Sequence, residues 1–237
     1  MSNSQKESNN QVELLFFIIF KIKMLFENWK ENLEPLIDKY KGRKHPLNYN
    51  NTYQLLIMVI LSAQDSDVNI NNITISFFES YPNMESISNS SIEEITPYFT
   101  KVKNYPTKTT WIFELAKLLK TDNNIPINLT DLIALKGIGR KSANVILRET
   151  HKKAEGIIVD LHVIRVVPRI GLTAEYEDGN KIEKLLMQQL PYEIWNEIGM
   201  AFSFLGREIC RPTHPKCEKC PINKHCNYYK NTKYFLH

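Results

Sequence analysis

No apolar run in this chain reaches the length of a membrane span. The one candidate, VELLFFIIFKI at Val12 to Ile22, falls far short of the ~20 residues a spanning helix needs, and no small-residue cleavage site follows it. Its absence argues against a membrane role and against an export signal. Cysteine is scarce, with four in 237 residues, all between Cys210 and Cys226. So tight a group without an export signal points to metal ligation in a reducing compartment rather than to disulfides. Period-two alternation bounded by hairpin turns is missing, as are internal repeats. The only β-branched run long enough to suggest a strand is GIIVDLHVIRVV, Gly156 to Val167. It reads as an extended approach to a helix that Asp160 caps. Cations are absent from Thr74 to Thr100, where every charge is acidic.

What the chain does contain is helical periodicity. TYQLLIMVILSA, KTTWIFELAKLLK, SANVILRET and GNKIEKLLMQQL carry apolar residues at three- and four-residue spacing. Breaker-rich stretches such as HPLNYNN, SYPNMESISNSS, TDNNIPINLT and GLTAEYEDGN separate them. The expectation is an all-α chain of roughly ten short helices joined by polar loops. A hydrophobic content of 43% suits one large or two small domains with real cores. Residues 1–23, polar at the start and free of any chemical motif, are expected to be an appendage, with Met24 an alternative start.

The net charge of +4 and pI near 8.7 permit a polyanionic partner without requiring one. The cations concentrate between Asp131 and Arg169, where eight Lys and Arg face four acids. Inside that stretch, LIALKGIGRKSANVIL (Leu132 to Leu147) places two of the chain's eight glycines at the mouth of a helix. Gly137 and Gly139 allow positive φ and remove side chains that would keep another backbone away. Unpaired N–H groups and the positive end of a helix dipole then form an anion site, the logic of a helix-hairpin-helix phosphate clamp. A plain glycine turn between packed helices is the blander alternative. Lys141 is the unusual residue, because a cation in a first helical turn is disfavoured by a few tenths to ~1 kcal/mol. That penalty disappears if the amine is neutral, and a neutral lysine is a nucleophile for an aldehyde-like sugar carbon. Asp160, nineteen residues on and flanked by apolar side chains, is an N-cap, a general base, or both.

The cysteines are spaced C-x6-C-x2-C-x5-C, as Cys210, Cys217, Cys220 and Cys226. Four thiolates with a single CxxC can hold zinc or a [4Fe–4S] cluster; a zinc ribbon more often has two CxxC knuckles, so the pattern leans toward the cubane. The intervening loop carries Arg211, His214 and Lys216, a plausible phosphate contact.

Taken together, LKGIGRKSANVIL, VDLHVIRVVPRIGL, the cysteine pattern and LSAQDSDVNIN (Leu61 to Asn71) resemble the endonuclease III family of DNA glycosylases. The motifs stand in the family's order over about Met24 to Tyr229. The resemblance implies two helical domains with the DNA cleft between them. One is a six-helix domain with the helix-hairpin-helix, here 45–154. The other is an iron–sulfur domain from 24–44 and 155–230, followed by a tail at 231–237. It implies Lys141 as Schiff-base nucleophile, Asp160 as catalytic carboxylate, and Gly137, Gly139 and Arg140 as the phosphate clamp. Gln64 matches the glutamine that probes the gap left by a flipped base, His162 matches a histidine near DNA, and the four cysteines hold a [4Fe–4S] cluster. The implied activity is excision of oxidised pyrimidines from duplex DNA with lyase cleavage at the abasic site, by a cytoplasmic monomer with no membrane partner.

Three positions depart from the family pattern. Lys136 replaces a proline before the first hairpin glycine, adding a charge suited to phosphate. Leu161 stands where threonine follows the aspartate. KNYPTKT, Lys103 to Thr109, puts Asn104 where the family carries an apolar wedge, which opens the question of how the space of an extruded base is filled. The alternatives are a mismatch-type glycosylase of the same superfamily, against which Lys141 argues, a non-catalytic iron–sulfur DNA-binding module, and a zinc-bound helical adaptor.

Overall fold

The computed structural model describes residues 28–234; the expected appendage at 1–23 lies outside the described residues. Every regular element among those residues is helical, with twelve α-helices and four single-turn 3-10 segments. The chain divides into two compact units. One is Arg43–Gly156, and the other joins the described residues up to Gly42 with those from Ile157 onward.

Local chemistry explains most helix starts in the unit Arg43–Gly156. Helices α2 (Thr52–Leu61), α3 (Asp67–Ser80), α4 (Met84–Ser88), α5 (Ile92–Phe99) and α7 (Leu129–Ala134) each begin behind an Asn or Ser whose side chain accepts from a first-turn N–H. In α4 and α5 the third residue returns the bond, completing a capping box. The helix α2 is the centre of this unit. All residues from Leu55 to Leu61 are buried, so it packs on every side, with α3, with α6 (Tyr105–Leu119) and with α8 (Arg140–Glu149) against it. Sequence periodicity predicts α2, α6 and α8, but not α4 or α7. At five and six residues those two are shorter than the span over which a 3.6-residue period can register.

The other unit is built from α1 (Trp29–Tyr40), α9 (Leu161–Ile170), α10 (Gly179–Gln189), α11 (Trp195–Glu208) and α12 (Asn227–Tyr234). Its core is α11, which packs on α9 and α1 and buries every residue from Ile198 to Gly206. The run Ile157 to Val159 approaches α9 extended and buried, without sheet partners, as the sequence predicts. At Gly206 a Cβ would lie 2.8 Å from His162 Cβ and 3.1 Å from Val166 Cγ2, so glycine is what lets α9 approach α11 this closely. Residues 231–234, expected to be tail, continue α12. No helix among the described residues is long and apolar enough to cross a membrane.

Candidate active site

The hairpin begins where α7 ends at Ala134. Leu135 N donates to Leu132 O at 3.2 Å and Ile138 N to Leu135 O at 3.2 Å, closing two tight turns before α8 starts at Arg140. Leu132, Leu135 and Ile138 are buried, so the apolar residues pin the turn to the unit and its backbone faces out. The two glycines do different jobs. Gly137 has φ +82, and a Cβ there would lie 2.7 Å from Trp111 Cε3; both backbone and space demand glycine. Gly139 does not meet the expectation of positive φ. It is extended, at φ −90 and ψ 172, and a Cβ there would touch nothing. Its bareness leaves open space in front of α8.

That space faces an uncapped helix mouth. Gly139 is the N-cap of α8, supplies no side-chain bond, and the first turn holds no acid. Neither a capping side chain nor a first-turn acid therefore offsets the positive end of this dipole. Arg140 and Lys141 are the first two residues of this helix, so both cations stand at its positive end. Lys136, expected to serve phosphate, is instead paired with Glu114 of α6 at 2.7 Å on the surface. Arg148 is also committed: it is buried against Glu149 and donates to Arg43 O at 3.1 Å. Half of the basic stretch is thus structural, because Arg165 and Arg169 donate to backbone carbonyls as well.

Gln64 lies just past α2, exposed, with φ 60. Asn104 precedes α6, exposed, with φ 57.

Asp160 and His162 belong to the other unit. Asp160 caps α9, and one carboxylate oxygen accepts from both His162 N and Val163 N at 2.9 Å. The second oxygen accepts from Ser203 Oγ of α11 at 2.6 Å, with Arg207 Nη2 at 3.9 Å. The aspartate is therefore an N-cap and a fixed carboxylate at once. Sequence reasoning missed Ser203 and Arg207. A lone serine in the apolar stretch MAFSFLG was the available signal, since a fully buried hydroxyl needs a partner. His162 lies with its Nδ1 3.3 Å from Arg165 Nη2.

Arg165 leads to the cysteines. Its Nε donates to Cys210 O at 3.2 Å. One turn on, Arg169 donates to Arg211 O at 2.7 Å and Pro212 O at 3.1 Å, lies 3.7 Å from Cys210 Sγ, and stacks on the Tyr228 ring at 4.9 Å. Lys216 N returns to Ile209 O at 2.9 Å, closing the loop that holds Arg211, His214 and Lys216 exposed. Short 3-10 turns at Cys217–Lys219 and Asn223–His225 then carry the remaining thiols. Burial, followed by the neighbouring thiols, pushes Cys217 up. Cys220 is pushed up to about 11, chiefly by burial, and Cys226 is raised by burial too. Burial and the neighbouring sulfurs thus favour the neutral thiol at these three positions. Among the described residues, no three His, Cys, Asp or Glu side chains close on a point that one metal ion could occupy.

Comparison with known proteins supplies the remaining step. A family model described as HhH-GPD superfamily base excision DNA repair protein matches residues 57–192. The endonuclease III of Buchnera aphidicola subsp. Schizaphis graminum (strain Sg) is 34% identical over 208 residues, covering 86% of this chain and 99% of that protein. A trapped endonuclease III–DNA covalent intermediate, an estranged-adenine complex, superposes with a TM-score of 0.78 at 29% identity, over 88% of this chain and 98% of that one. A thermostable thymine-DNA glycosylase has a TM-score of 0.72 at 21% identity, over 89% of this chain and 97% of that one, a likeness of fold alone. With the hairpin and the aspartate cap inside the residues that the family model matches, and a relative 34% identical over 86% of this chain, the chain belongs to the endonuclease III family of the HhH-GPD superfamily of base excision DNA repair proteins.

Proposed function

We propose that this protein removes oxidised pyrimidines from duplex DNA and then cuts the strand at the abasic site, with Lys141 as nucleophile and Asp160 as catalytic carboxylate. Extruding the damaged base costs a few kcal/mol, less for a lesion than for a sound pair. The Lys141 amine attacks C1′, the N-glycosidic bond breaks, and the base leaves with its bonding electrons and takes up a proton. The C1′–O4′ bond then breaks, opening the sugar ring as O4′ takes up a proton released by the amine, and leaves a protonated Schiff base at C1′; this makes the neighbouring C2′ hydrogen acidic, and its loss expels the 3′ phosphate by β-elimination. A carboxylate held like Asp160 stabilises the positive charge that grows on the sugar as the base departs. Phosphates bind through the N–H groups of the α8 mouth, with Gly137, Gly139 and Arg140 as the clamp, while His162 and the loop Arg211 to Lys216 give further backbone contacts.

The observation that carries this reading is the α8 N-terminus, which has no side-chain cap, no first-turn acid and a lysine as its second residue. Cations in a first helical turn are disfavoured by the dipole, and an anion bound at the same end relieves that cost. Gln64 enters the gap the extruded base leaves.

The cysteines suit a [4Fe–4S] cluster. Burial favours the neutral thiols, a cost that a cationic centre displacing their protons would offset, and a single CxxC among four cysteines suits a cluster better than a zinc ribbon. Cys210, Cys217, Cys220 and Cys226 would hold it. Bound there, it would tie the loop Arg211 to Lys216 to the end of α11 rather than take part in bond cleavage. By the same reading the protein acts as a monomer in the cytoplasm.

Borohydride trapping on duplexes bearing an oxidised pyrimidine or a preformed abasic site tests the assignment. Wild type forms a covalent complex with both, and Lys141→Gln binds the DNA but forms none. A Lys141→Gln protein trapped at the wild-type rate would give the nucleophile's role to another amine and leave GIGRK a clamp only.

A further inference from the structure

Two exposed amide residues of the unit Arg43–Gly156, Gln64 and Asn104, hold left-handed backbone, at φ 60 and φ 57. Asparagine visits this region with some ease and glutamine rarely does, so the surroundings must impose it. Asn104 occupies the N-cap of α6, where an asparagine side chain ordinarily accepts from the first helical N–H groups. Here it makes no such bond, which leaves its amide uncommitted to its own helix.

What imposes the conformations is a pair of brackets. Lys108 is 3% exposed, and its amine donates to Leu61 O and Ala63 O, both at 2.6 Å. The residue directly before Gln64 is thereby fixed. Asp65, directly after Gln64, accepts at Oδ2 from the backbone N–H of Lys103 at 3.0 Å, and Lys103 directly precedes Asn104. The other oxygen of Asp65 accepts from Ser66 N at 2.8 Å and from Asn69 Nδ2 at 2.9 Å. Asn69 Nδ2 also reaches Lys101 O at 3.3 Å. The sequence neighbours of the two amide residues are thus bonded to each other, and the loops carrying them move as one piece. Burial opposes the charge on Asp65, but hydrogen bonds from Lys103, Asn69 and Ser66, with the Lys108 charge, outweigh it and hold its carboxyl below the usual carboxylate range. A buried lysine and a carboxylate with three donors are costly to assemble, and no chemistry assigned to this protein uses either one.

We propose that Gln64 and Asn104 form one rigid pair of amides that reads the edge of the base left without a partner once the damaged base is turned out, and that Asp65 and Lys108 are the positioning residues that hold the pair. This rests on the excision reaction proposed above. An amide offers a donor and an acceptor side by side, the pattern that pairs in bidentate fashion with a base edge. An apolar side chain at position 104 would fill space without telling one base from another. An amide distinguishes them, because the wrong base leaves buried donors or acceptors unpaired.

Single-turnover excision from four duplexes, with one oxidised pyrimidine opposite A, C, G or T, tests the proposal. The quantity read is the spread of the four rate constants within each variant, so a general loss of activity or folding cancels. Wild type is expected to show a spread of about tenfold or more, the discrimination of one bidentate contact. Asn104→Leu and Asp65→Ala should each compress it to about threefold or less, whereas Asp65→Asn, whose amide oxygen can still accept from Lys103, keeps most of it. The proposal is overturned by a wild-type rate indifferent to the opposite base, or by Asn104→Leu or Asp65→Ala proteins that retain the full spread. Borohydride trapping of wild type on a duplex bearing a preformed abasic site runs beside it. Failure there overturns the excision reading itself, and a flat spread with normal trapping overturns the amide pair alone.

Discussion

Asp160 makes two kinds of bond, and substitutions can separate them. Asp160→Ala removes the cap of α9, which costs about 1 kcal/mol, and also the hydrogen bond from the fully buried Ser203 hydroxyl, a net loss of about 1 kcal/mol more. The total is about 2 kcal/mol, or an apparent Tm lower by about 4–8 °C in a chain of this size. Asp160→Asn behaves differently. Its amide oxygen still accepts from His162 N and Val163 N, and its NH2 can donate to Ser203 Oγ, whose own proton turns to a carbonyl one turn back in α11. The lost attraction to Arg207, at 3.9 Å and about a third exposed, is worth under about 1 kcal/mol. Asp160→Asn should therefore melt within about 4 °C of wild type and still lose base excision as completely as Asp160→Ala. Thermal unfolding followed by circular dichroism, with single-turnover excision on the same preparations, measures both. Equal destabilisation by the two substitutions would refute the capping argument, and an Asp160→Asn protein with wild-type excision would refute the need for the charge.

The two hairpin glycines should also part company. Gly137→Ala meets Trp111 and a left-handed φ, costing about 2–4 kcal/mol in thermal unfolding; Gly139→Ala meets nothing and should stay within about 1 kcal/mol of wild type while weakening DNA binding in a titration. A loss of stability at Gly139 as large as at Gly137 would contradict the geometry. Lys136→Ala removes an exposed ion pair with Glu114 and should change stability by under about 1 kcal/mol, with no change in the salt dependence of DNA affinity; a shallower salt slope would return Lys136 to the clamp. Burial raises the Tyr53 hydroxyl above its ordinary pKa of 10.0, so its contribution is complete below pH 10 and is lost as pH rises beyond it, because the unfolded chain ionises first. Tyr53→Phe should flatten the alkaline limb of a stability-versus-pH curve, at the cost of the bond to Tyr81 O at 2.7 Å, and an unchanged limb would count against it.

What the sequence determines by itself is what chemistry within a few residues can settle. Asp160 caps α9 through N–H groups two and three residues on, Gly137 turns where its own φ must be positive, and the long periodic runs of α2, α6 and α8 become helices. The motifs that reveal the family are equally local, and so the hairpin lysine, the aspartate and the cysteines stand out as candidates in the sequence itself. What the tertiary structure alone decided is where distant partners meet. Ser203 reaches Asp160 across 43 residues of chain and Lys136 finds Glu114 across 22. Lys108 grips carbonyls 45 and 47 residues back, and Asp65 holds Lys103 across 38. A charge in the sequence looks the same whether it will serve phosphate, as proposed for Arg140, or a neighbouring carboxylate, as Lys136 does. Only packing fixes which group lies within hydrogen-bond reach, because interaction energy depends on separation in space and the sequence records separation along the chain.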